Sequence, residues 1–131
     1  MARVVVIDGS REARALCALL ELEGYDVVQF EDPENALDEI DASHADVVLV
    51  DLMIPGTTGL AFARTIRDRC PGTRVVLTGA YHLSERQLVR ADCGAIGFVP
   101  KPYGPREVAA FLQTKVPSTP PSAKAVGYKA M

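Results

Sequence analysis

A chain of 131 residues can close a hydrophobic core without disulfide or metal staples and is short enough to be one domain. Its 48% hydrophobic fraction excludes bulk disorder, while no apolar run nears the roughly 18 residues of a membrane span. With Lys115, Lys124 and Lys129 near the C-terminus and no acid beside them, residues 1–114 hold 11 basic and 17 acidic side chains, which argues against nucleic acid as a direct partner and suits a cation or a basic protein.

The N-terminal MARVVVIDG has too short an apolar stretch for a signal peptide, so a cytoplasmic protein with no membrane partner is expected. RVVVI (3–7) is short and valine-rich, which says strand. Residues 11–23 then place Ala13, Leu16, Cys17 and Leu20 on one helical face, with Ser10 as N-cap and Gly24 as the stop. DVVQF (26–30) is a second strand. Pro33 suits the first turn of a short helix to about Ile40, capped by Asp32. DVVLV (46–50) is the third strand and runs straight into Asp51. Pro55, Gly56 and Gly59 hold the following loop open, and a helix over 59–69 turns Phe62, Ala63, Ile66 and Cys70 inward, ending at Pro71–Gly72. Met53 reads as a packing side chain. TRVVL (73–77) is the fourth strand. Ser84 and Gln87 form a capping box for a fourth helix that stops at Gly94. AIGFV (95–99) is the fifth strand, and Pro100, which cannot donate to a ladder, marks it as an edge. Pro105 opens a last helix burying Val108, Phe111 and Leu112. From Lys115 onward the chain has three prolines and no periodicity. The expected division is therefore a domain over 1–114 and a flexible tail or linker over 115–131. Cys17, Cys70 and Cys93 are odd in number and lack a C-x-x-C pair, so free thiols are expected.

Regular β-α alternation with strands this apolar predicts an α/β fold: a flavodoxin-like, doubly wound, five-stranded parallel sheet of order 2-1-3-4-5 with helices on both faces. Ligands of such sheets bind beyond the carboxyl ends of the strands, where strand order reverses. The residues leaving the strands are Asp8, Glu31, Asp51, Thr78 and Lys101. In this order Asp8 and Asp51 lie side by side, with Thr78 and Lys101 on the far wall. Two adjacent carboxylates repel unless a cation lies between them, and a hard cation such as Mg2+ takes carboxylate and carbonyl oxygens. A carboxylate nucleophile, a cation, an ammonium and a hydroxyl are what phosphoryl transfer needs, because its catalysis is mainly positioning and charge neutralisation.

The stretches VVVID, VDLMIPGTTGL, VVLTGA and the lysine–proline pair in VPKPY follow in this order at strand ends. Through them, residues 3 to about 114 resemble the receiver domain of two-component response regulators. The resemblance implies that Asp51 is the phosphoacceptor for a histidine kinase or phosphotransfer protein. It implies that Asp8, Asp51 and the main-chain oxygen of Met53 hold Mg2+, and that Thr78 and Lys101 bind the phosphoryl group. Thr78 and Phe98, at the place of the switch aromatic, would signal to an output protein or domain, and the Lys101–Pro102 bond would be cis. A homodimer is also compatible. Enzymatic activity is at most self-catalysed, Mg2+-dependent phosphotransfer and autodephosphorylation.

Gly9 departs from the family pattern, standing where a second acid normally touches the metal, which predicts weakened Mg2+ binding. The alternative reading is a degenerate receiver, or pseudo-receiver, an interaction module working without phosphate. IDGS also resembles part of the D-x-D-G-[ST] motif of haloacid-dehalogenase phosphatases, but Val6 stands at the place of their nucleophile. No G-x-G-x-x-G follows the first strand, which disfavours a nucleotide or flavin fold.

Overall fold

Period-two alternation sends Val4 and Val6 of β1 (Arg3–Ile7) to one face of the sheet and Val5 and Ile7 to the other. The computed structural model, which describes residues 2–117, repeats this division on β3 (Val47–Asp51) and β6 (Arg74–Gly79). Val47, Leu49 and Val76 join Val4 and Val6 beneath α1 (Arg11–Leu22) and α5 (Pro105–Lys115), packing on Leu16, Leu20, Val108 and Leu112. Val48, Val50 and Leu77 join Val5 and Ile7 on the opposite face. There α2 (Pro33–Ser43) and α3 (Gly59–Arg69) add Ala36, Ile40, Phe62 and Ile66, and α4 (Glu85–Ala91) adds Leu88 at the margin. Because both faces are covered, the strands are apolar throughout instead of alternating with polar residues. Each fully buried Val, Leu or Ile contributes about 2 kcal/mol of transfer free energy.

With β2 (Asp26–Phe30) and β7 (Gly97–Pro100) at the edges, the parallel sheet runs β2-β1-β3-β6-β7, the expected order of its five strands. In register, Ile7 faces Phe30 and Val50, Asp51 faces Thr78, and Gly79 faces Pro100. Pro100 ends the edge strand as expected, and Lys101 N–H resumes bonding by donating to Gly79 O at 2.8 Å. The expected caps form: Ser10 accepts from Ala13 N–H, Asp32 from Glu34 N–H, and Ser84 and Gln87 make a reciprocal capping box.

Several boundaries differ from expectation. α2 runs three residues past Ile40, because Ser43 Oγ donates to Glu39 O and His44 adopts a left-handed C-cap (φ 52°) without glycine. The fifth strand of the sheet starts at Gly97, not Ala95, although Ile96 N–H already reaches Val75 O. α4 ends at Ala91 with Asp92 left-handed, before Gly94. Cys70 is the half-buried C-cap of α3, not a core residue, and Ala109 rather than Phe111 fills the core beside Val108 and Leu112. The loop after Asp51 contains a small antiparallel hairpin, β4 (Met53–Ile54) with β5 (Thr57–Thr58), turned by Pro55 and by Gly56 at φ 78°.

Packed structure continues two residues past the expected boundary at 114, because Val116 is buried and its carbonyl accepts from the buried Tyr25 hydroxyl at 2.7 Å. Most of the expected tail over 115–131 lies outside the described residues. The three cysteines are free thiols, and burial pushes the Cys17 thiol up to about 11. Among the described residues no helix is long and apolar enough to cross a membrane.

Candidate functional site

Strand order reverses between β1 and β3, and the two acids leave the sheet at that point. Asp8 follows β1 and is nine-tenths buried. Its N–H donates to Phe30 O at 2.9 Å, its carbonyl accepts from Gln29 Nε2 at 2.6 Å, and its Oδ1 accepts from Ser10 N–H at 2.9 Å. Asp51 ends the buried β3, so a rigid element aims its carboxylate into the crevice. Asp51 Oδ1 accepts from Met53 N–H at 3.1 Å. The Met53 side chain is 72% exposed, so it does not pack as expected; only the main chain of this residue borders the site.

Lys101 closes the gap between the acids. From the far wall its ammonium crosses the crevice, with Nζ 2.7 Å from Asp8 Oδ2 and 2.8 Å from Asp51 Oδ2. The three side chains keep only 15%, 7% and 16% of their surface exposed, in the order Lys101, Asp8, Asp51. Burial alone would pull the ammonium's pKa down, but the hydrogen bonds and negative charges of Asp51 and Asp8 outweigh it and raise it above the ordinary lysine value. The Lys101–Pro102 peptide is cis, as the resemblance implied.

Thr78 is buried beside Asp51 in the β3–β6 register. Phe98 lies half-buried one strand further out, opposite Leu77, and meets the edge of His82 with ring centroids 6.1 Å apart. Tyr81 is exposed. Asp8, Asp51 and Lys101 thus converge, Thr78 lies beside Asp51 in register, and Phe98 lies on the next strand in register with Leu77.

Tyr103 went unnoticed in the sequence. Its N–H donates to Glu12 Oε2 at 3.1 Å, and its buried hydroxyl has no hydrogen-bond partner. Burial, and after it the charges of Asp8 and Glu12, drive the phenol's pKa far upward. The signal available was its place two residues after Lys101.

The donor set fits a hard cation. Asp8 Oδ2 is a buried carboxylate oxygen whose contact is the Lys101 ammonium at 2.7 Å, a place a cation can take. Among the described residues, however, no three His, Cys, Asp or Glu side chains already converge as a cage.

Residues 4–113 match the family model described as the response regulator receiver domain. The chain belongs to the response regulator receiver domain family. Among curated relatives, the sensory transduction protein RegX3 of Mycolicibacterium smegmatis is 35% identical over 110 residues, covering 84% of this chain and 48% of the relative. The transcriptional regulatory protein CpxR of Escherichia coli is 33% identical over 114 residues, covering 86% and 48%. This receiver domain therefore spans about half the length of the curated relatives it matches. Among solved structures, the chemotaxis response regulator CheY4 of Vibrio cholerae superposes with a TM-score of 0.76 at 26% identity, covering 87% of this chain and 98% of that one. Receiver domains generally bind Mg2+ for phosphorylation, and response regulators interact with histidine kinases and output domains.

Proposed function

We propose that this receiver domain accepts a phosphoryl group on Asp51 from a histidine kinase or phosphotransfer protein and relays the event to an output partner, in the cytoplasm. The observation that carries the reading is the Lys101 ammonium held between the Asp8 and Asp51 carboxylates at 2.7 and 2.8 Å. An ammonium placed there offsets one of the two carboxylate charges of the resting site and can turn to a phosphoryl oxygen when one arrives.

In the transfer, an Asp51 carboxylate oxygen forms the new P–O bond as the P–N bond of the donor phosphohistidine breaks, and the imidazole leaves with the electron pair. Asp8, Asp51 and the Met53 main-chain oxygen would hold Mg2+, which when bound supplies positive charge to the phosphoryl oxygens. Gly9 provides no carboxylate of its own, which weakens this ion's binding. Lys101 exchanges its contact with Asp51 for one with the phosphoryl group, and the Thr78 hydroxyl donates to another phosphoryl oxygen. Movement of Thr78 toward that oxygen vacates space at the level of Phe98, whose ring turns inward.

The readout face lies beyond Phe98. There α4, β7 and α5 enclose a groove of about 760 Å3 whose lining includes Leu88, Val89, Ile96, Phe98 and Phe111. Val89 and Ile96 are exposed. Such a face suits a protein partner, including a second copy of this domain, and an acidic domain offers nothing to nucleic acid.

Incubation with acetyl phosphate and Mg2+, followed by intact mass, tests the assignment. Wild type is expected to gain one phosphoryl group and Asp51→Asn none. An unmodified wild type, or an adduct that survives in Asp51→Asn, overturns it; the unmodified outcome is what a phosphate-independent pseudo-receiver would give.

A further inference from the structure

The side-chain space that Gly9 leaves empty is filled by another residue. A Cβ built on Gly9 would overlap Glu31 Oε1 and lie 2.7 Å from both Cδ and Cγ of Glu31. Glu31 therefore carries its carboxylate into the volume where a residue-9 acid would start.

The backbone holds it there. Ile7 of β1 pairs with Phe30 of β2, so Asp8 and Glu31 are the next residues out of neighbouring strands. Asp8 N–H to Phe30 O and Gln29 Nε2 to Asp8 O lock the two strand ends together. The Glu31 carboxylate is uncommitted, with no hydrogen bond or ion pair to the described residues. Arg14, its basic neighbour in a shallow pocket there, donates to Gly9 O at 3.2 Å. One residue before Gly9, Asp8 Oδ2 is buried with the Lys101 ammonium as its contact at 2.7 Å.

We infer that Glu31 is a metal-positioning residue: its carboxylate replaces, from the neighbouring strand, the acid that Gly9 lacks, and serves Mg2+ at the Asp8–Asp51 site. This deepens the proposed function and rests on it. Glu31 is exposed to solvent overall, yet its carboxylate lies inside the side-chain volume of residue 9, on the side of Asp8. Glu31 reaches the ion by rotating its own flexible side chain, directly or through a water. It also limits what restoring an acid at position 9 can achieve, since a Gly9→Asp side chain must push Glu31 aside and then supplies charge that Glu31 was already supplying.

The test is Mg2+ titration of the full chain, read by calorimetry and by the amide NMR shifts of Gly9 and Asp51, so that binding is measured apart from phosphorylation. Glu31→Gln should weaken Mg2+ binding about tenfold, the scale at which residues supporting a metal site act. Glu34→Gln, which removes an exposed acid nearby in sequence, should change it by less than about twofold, as for a screened surface charge. Gly9→Asp should strengthen binding more in the Glu31→Gln background than in wild type, and the double variant should recover at least the wild-type affinity. Equal effects of Glu31→Gln and Glu34→Gln, or strictly additive effects of Gly9→Asp and Glu31→Gln, overturn the assignment. If either happens while acetyl phosphate still modifies Asp51, only the role of Glu31 falls. If wild type shows neither saturable Mg2+ binding nor an adduct, the receiver chemistry falls with it.

Discussion

Replacing Lys101 with methionine keeps most of the aliphatic stem and removes the ammonium that separates two carboxylates. In the folded protein Nζ touches Asp8 Oδ2 at 2.7 Å and Asp51 Oδ2 at 2.8 Å, with all three side chains mostly buried. Charge-assisted contacts contribute about 1.5–3 kcal/mol each. Losing two, with some relief as water enters the opened crevice, should cost about 3 kcal/mol, the low end for breaking a buried ion pair. For a domain of this size that is about 10 °C in Tm. Calorimetric or circular-dichroism melts at pH 7 without divalent ions measure it directly. Mg2+ should return more stability to Lys101→Met than to wild type, since no ammonium competes for the acids; at ten times Kd the linkage is about 1.4 kcal/mol. In an Asp51→Asn background the cost should shrink, because one of the two opposed charges is gone. The alkaline limb gives a further check. Lys101 has its pKa raised in the fold, so its stabilisation is complete below the ordinary lysine value of 10.5 and is lost as pH rises through the raised value. Lys101→Met should lack that part of the decline. A variant melting within about 1 °C of wild type, well short of the shift expected for this ion pair, would refute the view that the ammonium holds the acids together.

Two further outcomes follow from packing and burial. Gly59→Ala should destabilise by about 2 kcal/mol in denaturant melts, as overpacking does, because the new Cβ would meet Asp51 O at 2.5 Å and Leu52 Cα at 2.9 Å, both backbone atoms that cannot swing away. The same variant should lower the yield of the Asp51 adduct by shifting the end of β3. Cys17 ionises near 9 when unfolded but is raised to about 11 in the fold, first by burial and then by the charges of Glu21 and Asp8. The unfolded chain thus loses that proton first, and roughly 2 kcal/mol of stability should drain away between pH 9 and 11. Cys17→Ala should flatten that interval, and an unchanged slope would mean the thiol titrates normally.

What could be read in the chain was chemistry confined to a few consecutive residues or repeated with a fixed period. Ser10, Asp32 and the Ser84–Gln87 pair cap helices within one turn of themselves, so each formed where expected. Valine runs with both faces covered mark parallel strands, and the spacing between them leaves room for one helix each. The misses have physical sources too. Two-residue strands are below any periodicity, which hid the Met53–Thr58 hairpin, and the end of α2 at His44 used a left-handed cap without the glycine that usually marks it. Strand order placed Lys101 on the far wall, yet a lysine stem is long enough to cross a crevice, and no spacing rule encodes that both acids would share it.

Gly9 and Glu31 show how far such reading can mislead when taken one position at a time. Seen alone, Gly9 is a missing ligand and Glu31 a charge at a strand exit. The β1–β2 register sets Asp8 and Glu31 one step beyond the Ile7–Phe30 pair, and a side chain of glutamate length then spans the remaining offset to residue 9. The Glu31 carboxylate occupies the volume that a Cβ at residue 9 would take, and glycine, having none, leaves it there. If the two positions compensate in this way, charge at the metal site is a property of the paired strand ends rather than of the segment after β1. It follows that removing Glu31 should do to this protein what removing the second acid would do to a receiver that has one.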